Sequence, residues 1–101
     1  MTLNTKSTLD DFIKFFEGIP DEKWCENVTH KGDQCCAYGH LVQTAIKFKM
    51  YAEDLSDTLH RLAPNFVRAN DNLLPKYQHL PTPRLRVVEY LKDVRDGRSI
   101  E

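Results

Sequence analysis

The stretch from residue 24 to residue 41 constrains the fold of this chain more than any other part of its sequence. It contains the only tryptophan, all three cysteines, two of the four histidines and two of the four glycines. The segments on either side place apolar residues at the spacing of amphipathic helices, whereas this stretch does not. We therefore expect an irregular element, rich in cysteine, that packs where helices meet.

Length and composition indicate one globular domain. The chain has 101 residues, of which 41% are hydrophobic and 29% charged, and its net charge is −1. This composition excludes a disordered chain, and no apolar run approaches the ~18 residues of a membrane span. The N-terminus has no signal-peptide pattern, and the cysteine count is odd. Both observations predict reduced thiols and an intracellular location.

Helical periodicity predicts a mainly α fold, with four to five short helices around one core. The first helix should start at Ser7 or Thr8, the second near Cys35 or Cys36, and the third should cover residues 52–63. A short helical turn should end near residues 70–72. The last helix should run from Thr82, as N-cap, to a stop at Gly97. We predict a single domain over residues 1–101, with tails at 1–6 and 98–101.

A small β-hairpin is predicted between the first and second helices. Residues 30–33, His-Lys-Gly-Asp, form a turn signal, and residues 24–28 and 34–35 would be the two arms. Trp24, Cys25, Cys36, Gly39 and Leu41 would then form a junction between the hairpin and the second helix. A glycine inside a helix costs up to ~1 kcal/mol relative to alanine. Gly39 therefore predicts a close backbone approach, with Trp24 as the neighbour.

A zinc site is the first alternative interpretation of this stretch. Cys36 and His40 are one helical turn apart, and Cys25 and His30 precede them on the hairpin, so the four could supply a tetrahedral Cys₂His₂ set. The spacing lacks a paired-cysteine knuckle, however. Free cysteines are often buried as small hydrophobic residues. We therefore predict no cofactor, with zinc as the alternative.

A thiol-dependent enzyme is the second alternative. Cys35 or Cys36 would lie at a helix N-terminus, which stabilises a thiolate, and His30 or His40 could act as the base. The sequence has no signal for an oxyanion hole and none of the common catalytic motifs. We therefore predict that the chain is not an enzyme.

Basic residues concentrate on the last helix and define a candidate interaction surface. They are Arg84, Arg86, Lys92 and Arg95. Acidic residues are interspersed with them, which favours a solvated, ion-paired face over a track for phosphates. Binding of RNA remains an alternative interpretation of this helix.

Several short motifs resemble a small family of phage and bacterial proteins of unknown function. Members have a Trp-Cys pair, a Cys-Ala-x-Gly-x-Leu helix start, an Asn-Asp pair and a last helix with a Pro-x-x-Val-like start. The corresponding residues here are Trp24-Cys25, Cys36-Ala37-Tyr38-Gly39-His40-Leu41, Asn70-Asp71, and Pro83 with Val87, Val88 and Leu91. Tyr38 stands where a small aliphatic residue is usual. The resemblance implies a shared fold and a mobile-element context, and no mechanism.

That context leads to a functional hypothesis. Short phage proteins without catalytic motifs often bind a protein of the host. We therefore expect a non-enzymatic protein-binding module in the bacterial cytoplasm. Its partner would be a host nuclease or ribonucleoprotein, as for an anti-CRISPR inhibitor.

Overall fold

Five α-helices and one hairpin make up the described part of the chain, residues 5–47 and 52–101 of a computed structural model. In chain order the elements are α1 (Thr5–Glu17), β1 (His30–Lys31), β2 (Gln34–Cys35), α2 (Ala37–Lys47), α3 (Ala52–Leu62), α4 (Phe66–Asn70) and α5 (Pro83–Arg95). Single 3₁₀ turns cover Asp21–Lys23 and Pro75–Tyr77. The predicted fold class is confirmed. None of these helices combines the length and the apolar character needed to cross a bilayer.

The core is centred on the packing of α1 against α5. The apolar stripe predicted for the first helix is buried, and it meets the stripe of the last helix. These residues are Leu9, Phe12, Ile13, Phe16, Val87, Val88, Tyr90 and Leu91. Burial of a large apolar side chain contributes about 1.5–3 kcal/mol. Two stripes with helical period therefore account for much of the stability of the fold.

Helices α2, α3 and α4 close the core on its other side. Leu41 and Ala45 of α2 are buried, as are Leu59 of α3 and Phe66 of α4. Pro64 separates α3 from α4, as its missing N–H requires. Phe48, which continues the predicted stripe of the second helix, lies outside the described residues.

The helix ends follow the sequence signals in α5 and depart from them in α1. The Thr82 hydroxyl accepts the N–H of Leu85 at 3.2 Å, and Gly97 has a φ of 70°, as predicted for the two caps. Helix α1 already begins at Thr5 instead of Ser7 or Thr8, because no glycine or proline interrupts the helix before Ser7. At the C-terminal end, Ile100 packs against the core.

The hairpin is present, but one of its predicted arms is wrong. Strand β1 pairs antiparallel with β2, and Gly32, with a φ of 63°, begins the turn between them. The predicted arm at residues 24–28 lies on the opposite side of β2. There Trp24 makes a parallel bridge to Cys35, and the Cys25 N–H donates to the Cys35 carbonyl at 3.1 Å. Asn27, with a φ of 66°, ends this extended piece and turns the chain towards β1.

Candidate functional site

The predicted junction residues come together in the structure. Trp24, Cys25, Cys36 and Leu41 are buried, and Gly39 faces the hairpin. The Trp24 indole N–H donates to the Ile19 carbonyl at 3.1 Å. Its ring packs on Phe16 and on His40, with centroid distances of 5.6 and 4.9 Å. The tryptophan thus ties the start of α2 to the end of α1.

Asn70 joins three segments of the junction through its side-chain amide. Its Oδ1 accepts the N–H of Ala37, the first residue of α2, at 3.0 Å. Its Nδ2 donates to the Cys25 carbonyl at 3.0 Å. Asn70 is 0% exposed, so no water competes for these bonds. The predicted Asn-Asp pair therefore holds a helix start 33 residues away along the chain, in addition to ending its own helix.

Asp71 anchors the loop that follows Cys25. Its Oδ1 accepts the backbone N–H of Asn27 at 2.8 Å and the side-chain N–H of Asn70 at 2.9 Å. These bonds support the left-handed backbone of Asn27, which few residue types adopt readily. Asp71 thus fixes the shape of the loop in front of α2.

Gly39 permits a close backbone approach, as predicted, but the neighbour is not Trp24. A Cβ at position 39 would lie 2.3 Å from the Thr29 carbonyl oxygen and 3.0 Å from the Cys35 Cβ. The Thr29 carbonyl is held there because it accepts the Cys36 N–H at 3.1 Å. Trp24 covers the other side of the helix start, where His40 lies.

Cys36 acts as the N-cap of α2. Its Sγ accepts the N–H of Gly39 at 3.4 Å, as the side-chain oxygen of an N-cap serine does. Burial raises the pKa of the Cys36 thiol above its usual value, and the hydrogen bonds from Gly39 and Tyr38 oppose this only in part. Burial also raises the thiol pKa of Cys25 and Cys35. The three sulfurs are protonated at neutral pH, which is unfavourable for a nucleophile.

The two histidines considered as bases or metal ligands do not converge on the three thiols. His30 is exposed on β1, and His40 Nε2 lies 3.0 Å from the Lys23 carbonyl, to which it donates. The Cys25 thiol donates to the Val28 carbonyl at 3.4 Å. Within residues 5–47 and 52–101, no three His, Cys, Asp or Glu side chains are grouped as metal ligands. The alternative zinc set of Cys25, His30, Cys36 and His40 is therefore not assembled.

His40 gives the junction a pH dependence. Burial lowers the pKa of His40 below its usual value, against the opposing effect of the bond to Lys23. As pH falls through about 6.5, the unfolded chain takes up this proton before the folded one does. The stability contributed by neutral His40 is present above that pH and is lost below it. We expect the free energy of unfolding to fall between pH 7.5 and 5.

The variant His40→Gln separates this effect from other titrations. Its amide can still donate to the Lys23 carbonyl but does not titrate. Urea unfolding at both pH values should show a smaller loss of stability in the variant than in the wild type. Equal losses in the two proteins would contradict this assignment.

Arg86 is not part of a basic surface, contrary to the prediction. Its residue exposure is 2%, and its guanidinium donates to the carbonyls of Ala69, Asn70 and Leu80 at 3.0–3.2 Å. The same group pairs with Glu26 at 2.8 Å. At the end of α4, Arg86 supplies a donor to the Asn70 carbonyl and a second donor to the Ala69 carbonyl, which also accepts the Asn72 N–H at 3.3 Å. Arg86 therefore belongs to the support of the junction.

The other three predicted interaction residues are ion-paired on the surface. Arg84 pairs with Asp21 at 2.8 Å, Arg95 with Asp10 at 2.7 Å and Lys92 with Glu17 at 3.4 Å. The bond to Asp21 raises the pKa of Arg84, and the Arg84 guanidinium in turn lowers the pKa of the Asp21 carboxyl. A phosphate approaching α5 would meet these carboxylates. The pairing thus weighs against a nucleic-acid interface on this helix.

A cleft lies beside the junction, in front of the start of α2. Its volume is about 320 Å³, and we call it the Tyr38 cleft. Its lining residues are Asn27, Val28, Thr29, Cys36, Tyr38, His60, Val67 and Asp71. Val28 and Tyr38 are 48% and 37% exposed, which is high for large apolar side chains. The sequence did not predict this cleft, and its one unusual feature there is Tyr38, which stands where a small aliphatic residue is usual in the Cys-Ala-x-Gly motif.

A second cleft of about 320 Å³ lies between α1, α2 and α3. Four apolar residues line it, Phe12, Phe15, Leu41 and Leu55, together with Thr8, Asp11, Thr44 and Thr58. It has an acidic group, as the Tyr38 cleft does, but no histidine. The Tyr38 cleft is distinguished by its two exposed apolar side chains, Val28 and Tyr38, and we take it as the candidate recognition site.

A comparison of the chain with protein-family models, curated proteins and solved structures finds no match.

Proposed function

We propose that this chain is a non-enzymatic protein-binding module that contacts its partner through the Tyr38 cleft. The observation that carries the proposal is the exposure of Val28 and Tyr38, which come from different elements, on one concave surface. Apolar side chains around a pocket are typical of recognition surfaces, and tyrosine is prominent among the residues that anchor interfaces.

The side chains best suited to catalysis are engaged in structural contacts, which supports a binding role over a catalytic one. The three thiols are buried and protonated, and Cys36 is occupied as a helix cap. His40 donates to a backbone carbonyl, and the Asn-Asp pair holds the loop and helix start. These side chains stabilise the shape of the cleft, which a binding module requires to be rigid.

The proposal extends to the setting that the resemblance implies. We place the module in the bacterial cytoplasm as a product of a phage or another mobile element. Its partner would be a host protein, and a defence nuclease of the CRISPR type is the partner that we propose to test first. The support for this setting is the set of short motifs together with the small size of the domain.

Affinity capture with matched variants tests the proposal. Tagged wild-type protein should retain a stoichiometric partner from a bacterial lysate, and Tyr38→Lys should lose it. Ile46→Lys is the control, because Ile46 is 64% exposed on the same helix and does not line the cleft. Absence of any stoichiometric partner, or equal retention by both variants, would contradict the proposal. A captured nuclease is then assayed with and without the module, and inhibition is expected.

A further inference from the structure

We infer that the Tyr38 cleft receives an arginine side chain of the partner. This inference rests on the proposed protein-binding function, and it adds the chemistry that the cleft recognises. Three features of the lining carry it: an acidic group without a cationic partner, a hydrogen-bond acceptor on His60, and an exposed aromatic ring.

The charge of the cleft comes from Asp71. No lysine or arginine lines the cleft, and Asp71 takes part in no ion pair among residues 5–47 and 52–101. Its Oδ1 is engaged by Asn27 and Asn70, whereas its Oδ2 accepts no hydrogen bond from the described residues. One carboxylate oxygen thus remains for a ligand, and a cation is the complementary group.

His60 also lines the cleft and can supply a second acceptor. Its Nδ1 lies 2.8 Å from the Ser56 carbonyl oxygen, to which the ring N–H donates. In the neutral ring this bond leaves Nε2 as an acceptor, and no described residue donates to it. Two acceptors in one cleft call for a ligand with several donors. The guanidinium of arginine has five N–H donors and no acceptor.

The apolar part of the lining fits the rest of an arginine side chain. Tyr38 offers an exposed ring at the cleft, its centroid 6.5 Å from that of His60. Guanidinium groups stack on aromatic faces and are less strongly hydrated than ammonium groups. Val28 and Val67 provide contacts for the methylene stem. The planar, donor-rich arginine therefore matches this cleft better than the compact ammonium of lysine.

Titration with a small probe tests this inference without the partner. N-acetyl-arginine amide is added to ¹⁵N-labelled protein, and N-acetyl-citrulline amide, which is neutral and nearly isosteric, serves as the matched probe. We expect saturable shifts of the backbone amides of Asn27, Thr29, Tyr38 and His60 with arginine, and a response at least about fivefold weaker with citrulline, since charge-assisted hydrogen bonds are the stronger ones. Equal responses to both probes, or shifts confined to other surfaces, would overturn the inference.

Three variants locate the interaction. Asp71→Asn keeps the carbonyl that accepts the Asn27 N–H but removes the charge, and it should weaken arginine binding about tenfold, the order expected for loss of a charge-assisted bond. Tyr38→Leu should weaken binding and leave the fold intact, because the ring is exposed. Asp57→Asn, an exposed acid on α3 outside the cleft, should change nothing. Unchanged binding in both cleft variants would also overturn the inference.

The two proposals fail in different ways. Capture of a partner that depends on Tyr38, combined with no response to the arginine probe, would retain the binding function and reject arginine recognition. Binding of the arginine probe without any captured partner would establish the chemistry of the cleft and reject the proposed function.

Discussion

Replacing Asn70 with alanine is expected to lower the free energy of unfolding by about 3–5 kcal/mol, because it leaves two buried backbone groups without partners. These groups are the Ala37 N–H at the start of α2 and the Cys25 carbonyl. Each unsatisfied buried group costs about 1–3 kcal/mol, and a small cavity adds to the loss. Small domains have only about 5–15 kcal/mol in total, so the variant should be close to unfolding.

Two further variants at α4 show whether the loss comes from these bonds. Asn70→Asp keeps an acceptor for Ala37, but it buries a carboxylate against the Cys25 carbonyl and the Asp71 carboxylate, so a loss at least as large as that of Asn70→Ala is expected. Asn65→Ala is the matched control at the other end of the same helix, where the asparagine side chain makes no capping bond. Urea unfolding followed by circular dichroism measures all three variants. A loss in Asn70→Ala no larger than in Asn65→Ala would refute the structural role of Asn70.

Gly39→Ala is the second variant with a large expected effect. Alanine usually stabilises a helix relative to glycine by up to about 1 kcal/mol. Here the added Cβ would lie 2.3 Å from the Thr29 carbonyl oxygen, a contact that real structures do not tolerate. Relief requires a shift of the backbone that carries the Thr29–Cys36 hydrogen bond. We expect a net loss of about 3 kcal/mol or more, at the upper end of overpacking costs.

Gly18→Ala is the control for the conformational effect of glycine. Its added Cβ would make ordinary contacts, 3.5 and 3.6 Å from the Lys14 and Phe15 carbonyl oxygens. Its φ is not in the left-handed region. Thermal unfolding should show little change for Gly18→Ala and a much lower Tm for Gly39→Ala. Equal melting temperatures would show that the hairpin does not press against α2.

The helices could be predicted from the sequence because their signals are local. The stripe of α1 repeats with the helical period, and Thr82, Pro83 and Gly97 mark both ends of α5. Which residues meet at the junction was also predictable, because a tryptophan and cysteines between two amphipathic helices have few other places to pack. These predictions depend only on residues that lie within one or two helical turns of one another in the sequence.

The hydrogen-bond partners within the junction were not predictable, because they lie far apart along the chain. Asn70 bonds to Ala37 across 33 residues, and nothing local distinguishes this asparagine from an ordinary turn residue. Arg86 looked like a surface charge, yet it shares a face with Tyr90 and Asp93, and all three are buried. A pattern of apolar residues alone does not include Arg86 and Asp93, so it could not place Arg86 on the buried face of α5.

The pairing within the hairpin was predicted less well than the helices on either side of it. The arm at residues 24–28 was predicted to pair antiparallel with the return strand, but Asn27 adopts a left-handed backbone that sequence alone does not demand. Strand β2 consequently lies between β1 on one side and the Trp24-Cys25 segment on the other. This arrangement also brings Thr29 against Gly39.

The central claim is that residues 24–41 form a structural junction and not a reactive site, and thiol alkylation tests it most directly. Iodoacetamide is added to native protein and to protein in urea, and peptide mass spectrometry follows Cys25, Cys35 and Cys36 separately. All three thiols are buried and have raised pKa values, so labelling should be slow in the native protein and fast in urea. Rapid labelling of Cys36 in the native protein would contradict the claim and favour a thiol-dependent activity.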